Sequence, residues 1–569
     1  MELCLTSTMK SGEMETSDSA VFPARADGRG AWSAGRWISG MILCGLAFAT
    51  GAFVPVSEGQ SKVDFAISLT PIASFRTGGS SLEFDLSAAE NVVFDKKTKR
   101  IFIGNAQQNS IVAIDVRNPS RPRELFAVDL SSFGREVNGL ALRKGGLLAV
   151  AVENIVKQQQ GVVVFLDLNG NILNFVRVGA QPDMIVFSPN GKMLLVANEG
   201  EPRGDYTYDP PGTISVIDTR GSRGRIARQE QMSVTELDFE RFDDLELDPS
   251  VRVNGPGSSP SRDFEPEFIA VSRDSQRAWV TLQENNAIAL IDLKNMRIDD
   301  VRGLGWKDHS LPGQGLDPSD RDDGVQIATW PVYGIFQPDA VQVYRAAGRE
   351  YLVTANEGDS RDLDGFTEET RIRDAVLDPV QFPNAASLQE SENLGRLQVS
   401  TSGDTDGDGD LDRLESFGAR SFSIWDEDAQ LVWDSGDQLE QLTAAALPDQ
   451  FNSEGDENNS FDSRSDDRGP EPEALAIGKF RGRMLAFVGL ERVGGIAVFD
   501  ITLPTAPRFL TYFNPRDFSG NPANDTAGDL GPENFAFAKR GWRGAGQALL
   551  FVANEISGSV TILAINETS

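Results

Sequence analysis

The sequence predicts an all-β fold, a seven-bladed β-propeller whose ring is closed by an N-terminal strand. Three observations lead to this prediction. Short apolar runs rich in β-branched residues dominate after residue 65, with Gly, Asn, Asp and Pro between them. A sequence repeat of three such runs recurs seven times, as in a repeat architecture. Six copies have a fourth run, whereas the last copy stops after its third, at Ala564.

The seven copies are found in order along the chain. Each starts with an acidic or amide residue before its first run, and most second runs end on an Asn/Glu pair or a variant of it. The predicted first strands begin near Glu90, Val137, Pro182, Pro266, Pro338, Pro472 and Pro532. Four-stranded blades around an axis protect sheet edges by radial repetition. Residues 71–76 precede the first copy, and we expect them to complete the last blade and tie the two ends together.

The N-terminal segment of residues 1–60 has the pattern of an export signal. Arg25, Arg29 and Arg36 precede an apolar run at residues 42–49, and small residues follow it. The run is too short for a spanning helix. We therefore expect removal of this segment and no stable membrane span in the mature chain.

Residues 65–566 are predicted to form a single propeller with long polar inserts. Long loops on a rigid scaffold often carry function. The acidic inserts lie near residues 200–262, 300–330, 358–420 and 438–470.

Composition excludes several functional classes. With 53 basic and 85 acidic residues among 569, the net charge of −32 repels nucleic acid and suits cations or basic partners. Cys4 and Cys44 both precede residue 60, so the propeller has no disulfide and no Cys-based zinc site. His309 is the single histidine, which excludes a His-rich metal centre. A Ser-His-Asp triad would have to use this residue. Lactone or redox chemistry lacks its usual signatures.

Strand direction predicts an acidic mouth on one face of the propeller. If the first strands run from top to bottom, the second strands return, so first-strand starts and second-strand ends share that face. Asn138 and Ala106 interrupt the two acidic series in the first two blades. The alternative is that these acids cap loops by accepting backbone N–H bonds. The candidate ligands at the mouth are Glu199, Glu267, Asp339, Glu357, Asp359, Arg361, Arg464, Glu473, Glu491, Arg492, Glu533 and Glu555.

Two segments mix carboxylates with arginines beside this face, at residues 354–361 and 451–473. Such a mixture suits either an anion site bridged by metal or a salt-bridge network that satisfies itself. The sequence leaves both interpretations open.

Residues 404–415 match the calcium loop of an EF-hand. Oxygen ligands at alternate positions surround a hard cation, and Gly at position 6 permits the sharp turn. The flanking residues 397–400 and 421–425 are strand-like, so we expect a structural Ca²⁺ that fixes the insert; a disordered acidic run is the alternative. The predicted ligands are Asp404, Asp406, Asp408, Asp410, Asp412 and Glu415.

Four segments resemble one known family: residues 356–361, 453–473, 488–495 and 531–533. The chain from about 65 to 566 resembles the choice-of-anchor I domain family. The resemblance implies an exported β-propeller that is secreted, periplasmic or on the cell surface. Some members carry labels similar to alkaline phosphatase or phytase, which implies a calcium-dependent phosphoesterase as a second possibility. The resemblance assigns no catalytic residue.

Two functions follow as expectations. The first is an exported, monomeric, calcium-binding module for binding or adhesion at the cell surface, and the second is a calcium-dependent phosphoesterase. The expected partner is an extracellular protein, a glycan or a phosphorylated small molecule. In the enzyme, Arg361, Arg464 or Arg492 would hold the anion. Calcium would be held by Glu357, Asp359, Glu473, Glu491 and Glu533.

Overall fold

The computed structural model describes residues 65–77, 84–220, 232–539 and 548–568. The predicted targeting segment, residues 1–60, lies outside the described residues together with both cysteines. The described chain is all-β, as the sequence predicts, with 35 strands and only short helices. None of its helices is long and apolar enough to cross a membrane.

Twenty-eight of the described strands form seven four-stranded antiparallel sheets, numbered here by the chain order of their first strands. Sheet 1 contains β2 (Asn91–Asp95), β3 (Arg100–Asn105), β4 (Ser110–Asp115) and β5 (Arg123–Asp129). Sheet 2 contains β6 (Glu136–Arg143), β7 (Leu147–Glu153), β8 (Gln160–Asp167) and β9 (Ile172–Ala180). Sheet 3 contains β10 (Pro182–Phe187), β11 (Met193–Asn198), β12 (Thr213–Asp218) and β13 (Val234–Leu237).

The remaining four sheets follow the same order. Sheet 4 contains β14 (Pro266–Val271), β15 (Arg277–Leu282), β16 (Ala287–Asp292) and β17 (Arg297–Gly303). Sheet 5 contains β20 (Val341–Ala346), β21 (Arg349–Asn356), β27 (Ser421–Asp426) and β28 (Leu431–Asp434). Sheet 6 contains β29 (Pro472–Phe480), β30 (Arg483–Leu490), β31 (Ile496–Asp500) and β32 (Arg508–Phe513). Sheet 7 contains β33 (Pro532–Ala538), β34 (Ala548–Asn554), β35 (Ser559–Thr568) and β1 (Ala66–Arg76).

Sheet 7 is built from both ends of the described chain. Strand β1 pairs antiparallel with β35, from Ala66 opposite Thr568 to Arg76 opposite Ser559, with one irregularity near Pro71. This is the pairing that the sequence predicts for residues 71–76. It closes the hydrogen-bonded ladder along the outer edge of β35, an edge that would otherwise be unpaired.

The hydrophobic core lies between the sheets. Separate apolar clusters join sheets 1 and 2, 2 and 3, 3 and 4, 4 and 5, 5 and 6, and 6 and 7. A further cluster joins sheet 7 to sheet 1, where Phe551 packs among Val92, Ile101 and Ile103. Every sheet therefore buries both of its faces against its two neighbours, which explains why most of the central strands are apolar throughout.

The inserts contain secondary structure of their own. A five-stranded sheet consists of β18 (Trp306–Asp308), β19 (Tyr333–Ile335), β26 (Glu415–Ser416), β25 (Gln398–Ser400) and β24 (Glu369–Arg371). A hairpin joins β22 (Asp362–Leu363) to β23 (Phe366–Thr367). The helices are α1 (Pro260–Asp263), α2 (Ala385–Leu388) and α3 (Gln438–Ala446). The stretch predicted as an insert near 200–262 also contains β12 and β13 of sheet 3.

The inserts between β17 and β27 share an apolar core of their own, which includes Leu316, Ile372, Leu397 and Leu414. The inserts are therefore packed structure and not solvated tails.

Candidate functional site

Six carboxylates lie at the starts of the first strands and six lie at the ends of the second strands, and we term this set the acidic mouth. None of the twelve is exposed. The first-strand acids are Glu90, Asp183, Glu267, Asp339, Glu473 and Glu533, and the second-strand acids are Glu153, Glu199, Glu284, Glu357, Glu491 and Glu555.

A β-bulge positions most of the first-strand acids. In β10, β14 and β29 the register shifts directly after the opening Pro, which leaves Asp183, Glu267 and Glu473 without a partner in the ladder. Glu533 occupies the same position in β33. A bulge releases its extra residue from the pleat and redirects the side chain. In sheet 2 the bulge holds Asn138 instead, so that sheet supplies an amide.

A repeated backbone bond fixes the second-strand acids. In three sheets the N–H of the acid donates to the carbonyl of the residue that precedes the first-strand Pro. Each of those carbonyl residues has a positive φ, between 45° and 68°. The bonds are Glu199 N to Gln181 O (3.0 Å), Glu491 N to Glu471 O (2.9 Å) and Glu555 N to Gly531 O (2.8 Å).

The structure gathers these acids into compact groups. Asp183, Glu199 and Glu267 each offer an oxygen within 4.8 Å of the others, and so do Asp339, Glu357 and Glu473. In both groups a second-strand acid lies between the first-strand acid of its own sheet and that of the next. A third group, Glu357, Glu471 and Glu491, shares Glu357 with the second.

Burial is the main cause of raised pKa values across the mouth, and repulsion between carboxylates adds to it. Burial, followed by the charge of Glu555, raises the pKa of Glu90 to about 8. Burial, followed by Asp183 and Glu284, raises the pKa of Asp339 to about 7. The pKa values of the remaining mouth carboxyls lie above their ordinary values for the same first cause. Desolvation and like charge both disfavour the ionised form.

Several mouth carboxylates have no cationic partner, although Gln181 donates to Glu199 and Gln283 Nε2 donates to Glu357 (2.8 Å). Among the described residues, the two groups that contain Asp183 and Asp339 make no ion pair with Lys or Arg. One oxygen each of Glu284, Glu473 and Glu491 is buried and accepts no hydrogen bond. Buried charges in proteins are normally paired or coordinate a metal. The arrangement therefore suits hard cations with oxygen ligands.

Arginines border the mouth at sheet 6, but they are already engaged. Glu471 is fully buried and accepts from Arg464 Nε (2.7 Å) and from Arg492 Nε (3.0 Å). Burial alone would raise the pKa of Glu471, yet these guanidinium groups hold it below the ordinary value. Arg492 also pairs with Glu491 at 2.9 Å. This part of the site is a salt-bridge network, one of the two interpretations that the sequence left open.

The other two predicted residues of this region are also paired. Arg361 is 5% exposed and donates to Glu265 and to the carbonyl of Asp263 (2.6 Å). Asp359 pairs with Arg468 at 2.8 Å. Sequence reasoning missed Glu265, Glu471 and Arg468 as members of the site. A common position would have identified the first two, since both directly precede the Pro that opens a first strand.

The acidic loop of residues 404–415 forms two overlapping groups. Asp404, Asp406 and Asp412 have oxygens within 4.8 Å of one another, and Asp410 and Asp412 meet Asp378 in the same way. Asp404 accepts from the N–H groups of Gly407 and Gly409, both of which have a positive φ.

Two predicted loop ligands, Asp408 and Glu415, join neither of these groups in the described structure. Asp408 is exposed. Glu415 begins β26, and its carboxylate accepts from Arg413 and from Ser402 Oγ (3.1 Å). The carboxylate of Glu415 is therefore engaged by Arg413 and Ser402 and not by the aspartate groups of the loop.

His309 is buried within the insert that contains β18 and β19. It is fully buried, with Nδ1 2.5 Å from the carbonyl oxygen of Gln314. Burial, followed by the charges of Lys307 and Arg420, holds its pKa well below the ordinary value. A buried histidine with a lowered pKa is poorly suited to accept a proton as a general base.

Two curated proteins are similar to parts of this chain. One is a mesenchyme-specific cell surface glycoprotein of Strongylocentrotus purpuratus, 33% identical over 279 residues, covering 42% of this chain and 35% of that protein. The other is gigasin-3a of Magallana gigas, 39% identical over 119 residues, covering 20% of this chain and 42% of that protein. The chain thus spans less than half the length of either relative.

Two solved structures are similar at low identity. Hydrazine synthase of Kuenenia stuttgartiensis has 14% identity and a TM-score of 0.43, covering 87% of this chain and 99% of that chain. The β-propeller domain of Cps50 (Swd1) of Myceliophteria thermophila has 10% identity and a TM-score of 0.41, covering 88% of this chain and 100% of that chain.

The family model of the choice-of-anchor I domain matches residues 90–504, from the first-strand acid of sheet 1 into sheet 6. The matched region contains most of the acidic mouth and the whole acidic loop. The chain belongs to the choice-of-anchor I domain family.

Proposed function

We propose that residues 65–566 form one seven-bladed β-propeller whose ring is closed by β1. The apolar clusters support this proposal, because they join each sheet to the next and join sheet 7 to sheet 1. The pairing of β1 with β35 supports the closure. In such a ring the starts of the first strands and the ends of the second strands share one face, so the acidic mouth would surround the central channel.

The protein then acts as an exported binding module, secreted, periplasmic or on the cell surface. The observation that carries this function is the convergence of buried carboxylates with unpartnered oxygens at one place in a rigid scaffold. A relative described as a cell surface glycoprotein supports the location. The signal-like segment of residues 1–60 fits export. The ligand would be an extracellular protein or a glycan, held through calcium at the mouth.

Calcium has two roles in this proposal. At the acidic loop it fixes the insert between β21 and β27, with Asp404, Asp406 and Asp412 as ligands. At the mouth it neutralises the carboxylates and offers open coordination positions to ligand oxygens. All-oxygen donor sets favour Ca²⁺ over the transition metals.

The binding function is tested by attachment of the purified full chain to arrays of glycans and extracellular proteins, in calcium chloride and in chelator. We expect attachment in calcium only, lost in a Glu267→Gln/Glu473→Gln double variant. Glu246→Gln is the matched control, because Glu246 is an exposed acid outside the mouth. Attachment that is equal in chelator, or that survives in the double variant, would contradict the function.

A calcium-dependent phosphoesterase is the second candidate. Three guanidinium groups lie beside Glu471, those of Arg464, Arg468 and Arg492. Glu471 shares an oxygen group with Glu357, so these arginines are close to the proposed cation position. An anionic substrate could bridge a bound cation and an arginine, and the metal would activate water. The contacts of Arg361 with Asp263 and Glu265 argue against that residue as the anion holder.

The enzyme is tested by phosphate release from phosphomonoesters, phosphodiesters and phytate, with calcium and with chelator. Activity that disappears in folded Glu357→Gln and Glu491→Gln variants supports it. Inactivity of the parent protein on all three substrate classes in calcium rejects it.

A further inference from the structure

We propose that the acidic mouth holds two divalent cations, one between Asp183, Glu199 and Glu267 and the other between Asp339, Glu357 and Glu473. The inference deepens the proposed function and rests on it, because it specifies how many cations the mouth uses and which carboxylates hold each of them. The two groups are termed site A (sheets 3 and 4) and site B (sheets 5 and 6).

The spacing of oxygens in each site matches one cation. Oxygen ligands lie about 2.3–2.6 Å from Ca²⁺, so two ligands of one ion lie at most about 5 Å apart. The oxygens offered by the three carboxylates of each site are all within 4.8 Å of one another. Both sites also use the same three positions of the repeat, so the backbone geometry that forms one forms the other.

Buried oxygens without partners provide independent support. Glu284 is 8% exposed, and one of its oxygens accepts no hydrogen bond; one buried oxygen of Glu473, a member of site B, also accepts none. Glu284 belongs to sheet 4 between the two sites, and its charge acts on both Glu267 and Asp339. An uncompensated buried carboxylate is costly, and a nearby cation removes that cost.

Neighbouring positions explain why we expect two cations and not more. The third group adds no further cation site, because it shares Glu357 with site B and its other two acids, Glu471 and Glu491, already bond to arginines. Sheets 1 and 2 lack a complete set, since Ala106 and Asn138 replace two of the acids. Three monodentate carboxylates leave several of the 6–8 positions of Ca²⁺ open for water or ligand oxygens.

The test counts calcium bound to the chelator-treated full chain after equilibrium dialysis against calcium chloride alone. An Asp404→Asn/Asp406→Asn/Asp412→Asn background removes the contribution of the acidic loop, because Asp412 belongs to both of its groups. We expect two equivalents in this background, one after Glu267→Gln, one after Glu473→Gln and none after both. Glu90→Gln is the matched control, because it changes a first-strand acid that belongs to neither site, and it should keep two.

A fold check accompanies the count. In chelator the Gln variants should melt no lower than the background, because each removes like charge from a crowded group. If a variant does not fold, Asp183→Asn tests site A and Asp339→Asn tests site B in its place.

Fewer than two equivalents in the background would overturn the inference, and so would a stoichiometry that neither Glu267→Gln nor Glu473→Gln lowers. Two mouth equivalents without calcium-dependent attachment to any surface ligand would reject the proposed function and keep the two cation sites. Calcium-dependent attachment without these two bound equivalents would reject the two cation sites and keep the proposed binding function.

Discussion

Asn356 and Glu357 are neighbours in the chain and have different partners. Asn356 is fully buried and donates through Nδ2 to Ser421 Oγ (3.1 Å) and Ser423 Oγ (2.7 Å) at the start of β27. Glu357 faces the carboxylates of site B. Asn198 and Asn554 make equivalent bonds to Ser and Thr of β12 and β35. In the recurring pair, Asn holds the sheet together and Glu supplies the mouth.

Asn356→Ala should lower the free energy of unfolding by about 1–3 kcal/mol, because it removes the amide that donates to two buried hydroxyl groups of β27, whose own protons stay bonded to Asp434. Urea denaturation followed by circular dichroism measures the change. Asn384→Ala is the control: Asn384 is exposed and makes no capping bond, so we expect a change within about 0.5 kcal/mol. Equal effects of the two substitutions would contradict the structural role of Asn356.

Arg464→Met should destabilise the protein by about 3–5 kcal/mol, because it removes one of the two guanidinium groups that bond to the fully buried Glu471. The control is Arg297→Met, which breaks an exposed pair with Asp299 worth about 0–1 kcal/mol. The measurement is again urea denaturation. A loss for Arg464→Met no larger than that of the control would show that Glu471 does not depend on this pair.

At the level of single residues, the sequence predicted which acids recur but not how each is compensated. Glu473 follows Pro472 and Glu471 precedes it, yet the first lacks an arginine and the second has two. The difference depends on where the fold places Arg464, in the loop that leads into Glu471, and Arg492, in the turn after β30. Glu265 was missed for the same reason, since its partner Arg361 is distant in the chain.

Among the strands, β1 has a special position because it pairs with the last strand of the described chain. Phe75 and Ile72 also pack against the cluster between sheets 7 and 1, and Ile67 and Leu69 pack against the cluster between sheets 6 and 7. Removing β1 would expose both clusters and leave β35 as an open edge.

A chain that begins at Thr77 should therefore lose cooperative unfolding, whereas one that begins at Val63 keeps β1 and should melt like the parent. Calorimetry of the two truncations measures this. An unchanged melting curve for the shorter chain would refute the closure of the ring by β1.

The acidic loop should make stability depend on calcium. We expect calcium chloride to raise the melting temperature of the parent, since a ligand that binds only the folded state stabilises it. Asp404→Asn/Asp406→Asn should reduce that rise, and after Glu267→Gln and Glu473→Gln are added no rise should remain. Asp408→Asn is the control with little effect, because Asp408 belongs to neither group of the loop. A melting temperature of the parent protein that does not change with calcium would contradict the calcium site in the loop.

The sequence predicted the strands of the repeat well and those of the inserts poorly. Strands β2 to β5 are short runs rich in apolar residues that pair with near neighbours in sequence, which a local pattern reveals. Strands β24 and β26 have three and two residues, and β19 pairs in parallel with β26 across a long stretch of chain. Such pairing is set by the tertiary core of the insert and leaves no periodic signal.

At the scale of the whole molecule, a net charge of −32 is concentrated in part at one mouth, where burial favours protonated carboxyls. Burial is also the first cause that raises the pKa of Glu284 to about 7 and of Glu491 to about 8. The folded protein without cations therefore binds more protons than the unfolded chain in the neutral range.

In chelator, the free energy of unfolding should fall as the pH rises from 6.5 to 8.5. The pKa values of four mouth acids are raised in the folded state: Glu90, Asp339, Glu284 and Glu491. Their contribution to stability is fully present at a pH below their unfolded-state pKa values, and it is lost as the pH rises through their folded-state pKa values. His309 has a lowered pKa and acts below this window. Urea denaturation at each pH gives the slope.

Buried Asp317 and Asp462 lie outside the mouth and add to the same slope, with pKa values raised chiefly by burial to about 8 and about 7. Calcium separates the two contributions. Calcium should reduce the pH dependence of the unfolding free energy that comes from the mouth, because bound cations replace the protons there. A free energy that is constant or rises with pH in chelator would contradict the electrostatics of the mouth.

The most direct measurement is a crystal structure of the full chain grown in calcium chloride, with anomalous scattering data that locate the ions. We predict one peak between Asp183, Glu199 and Glu267 and one between Asp339, Glu357 and Glu473, each with carboxylate oxygens at calcium-ligand distances. Maps without ions at either group, in which these carboxyls pair only with one another or with water, would contradict the cation-binding mouth.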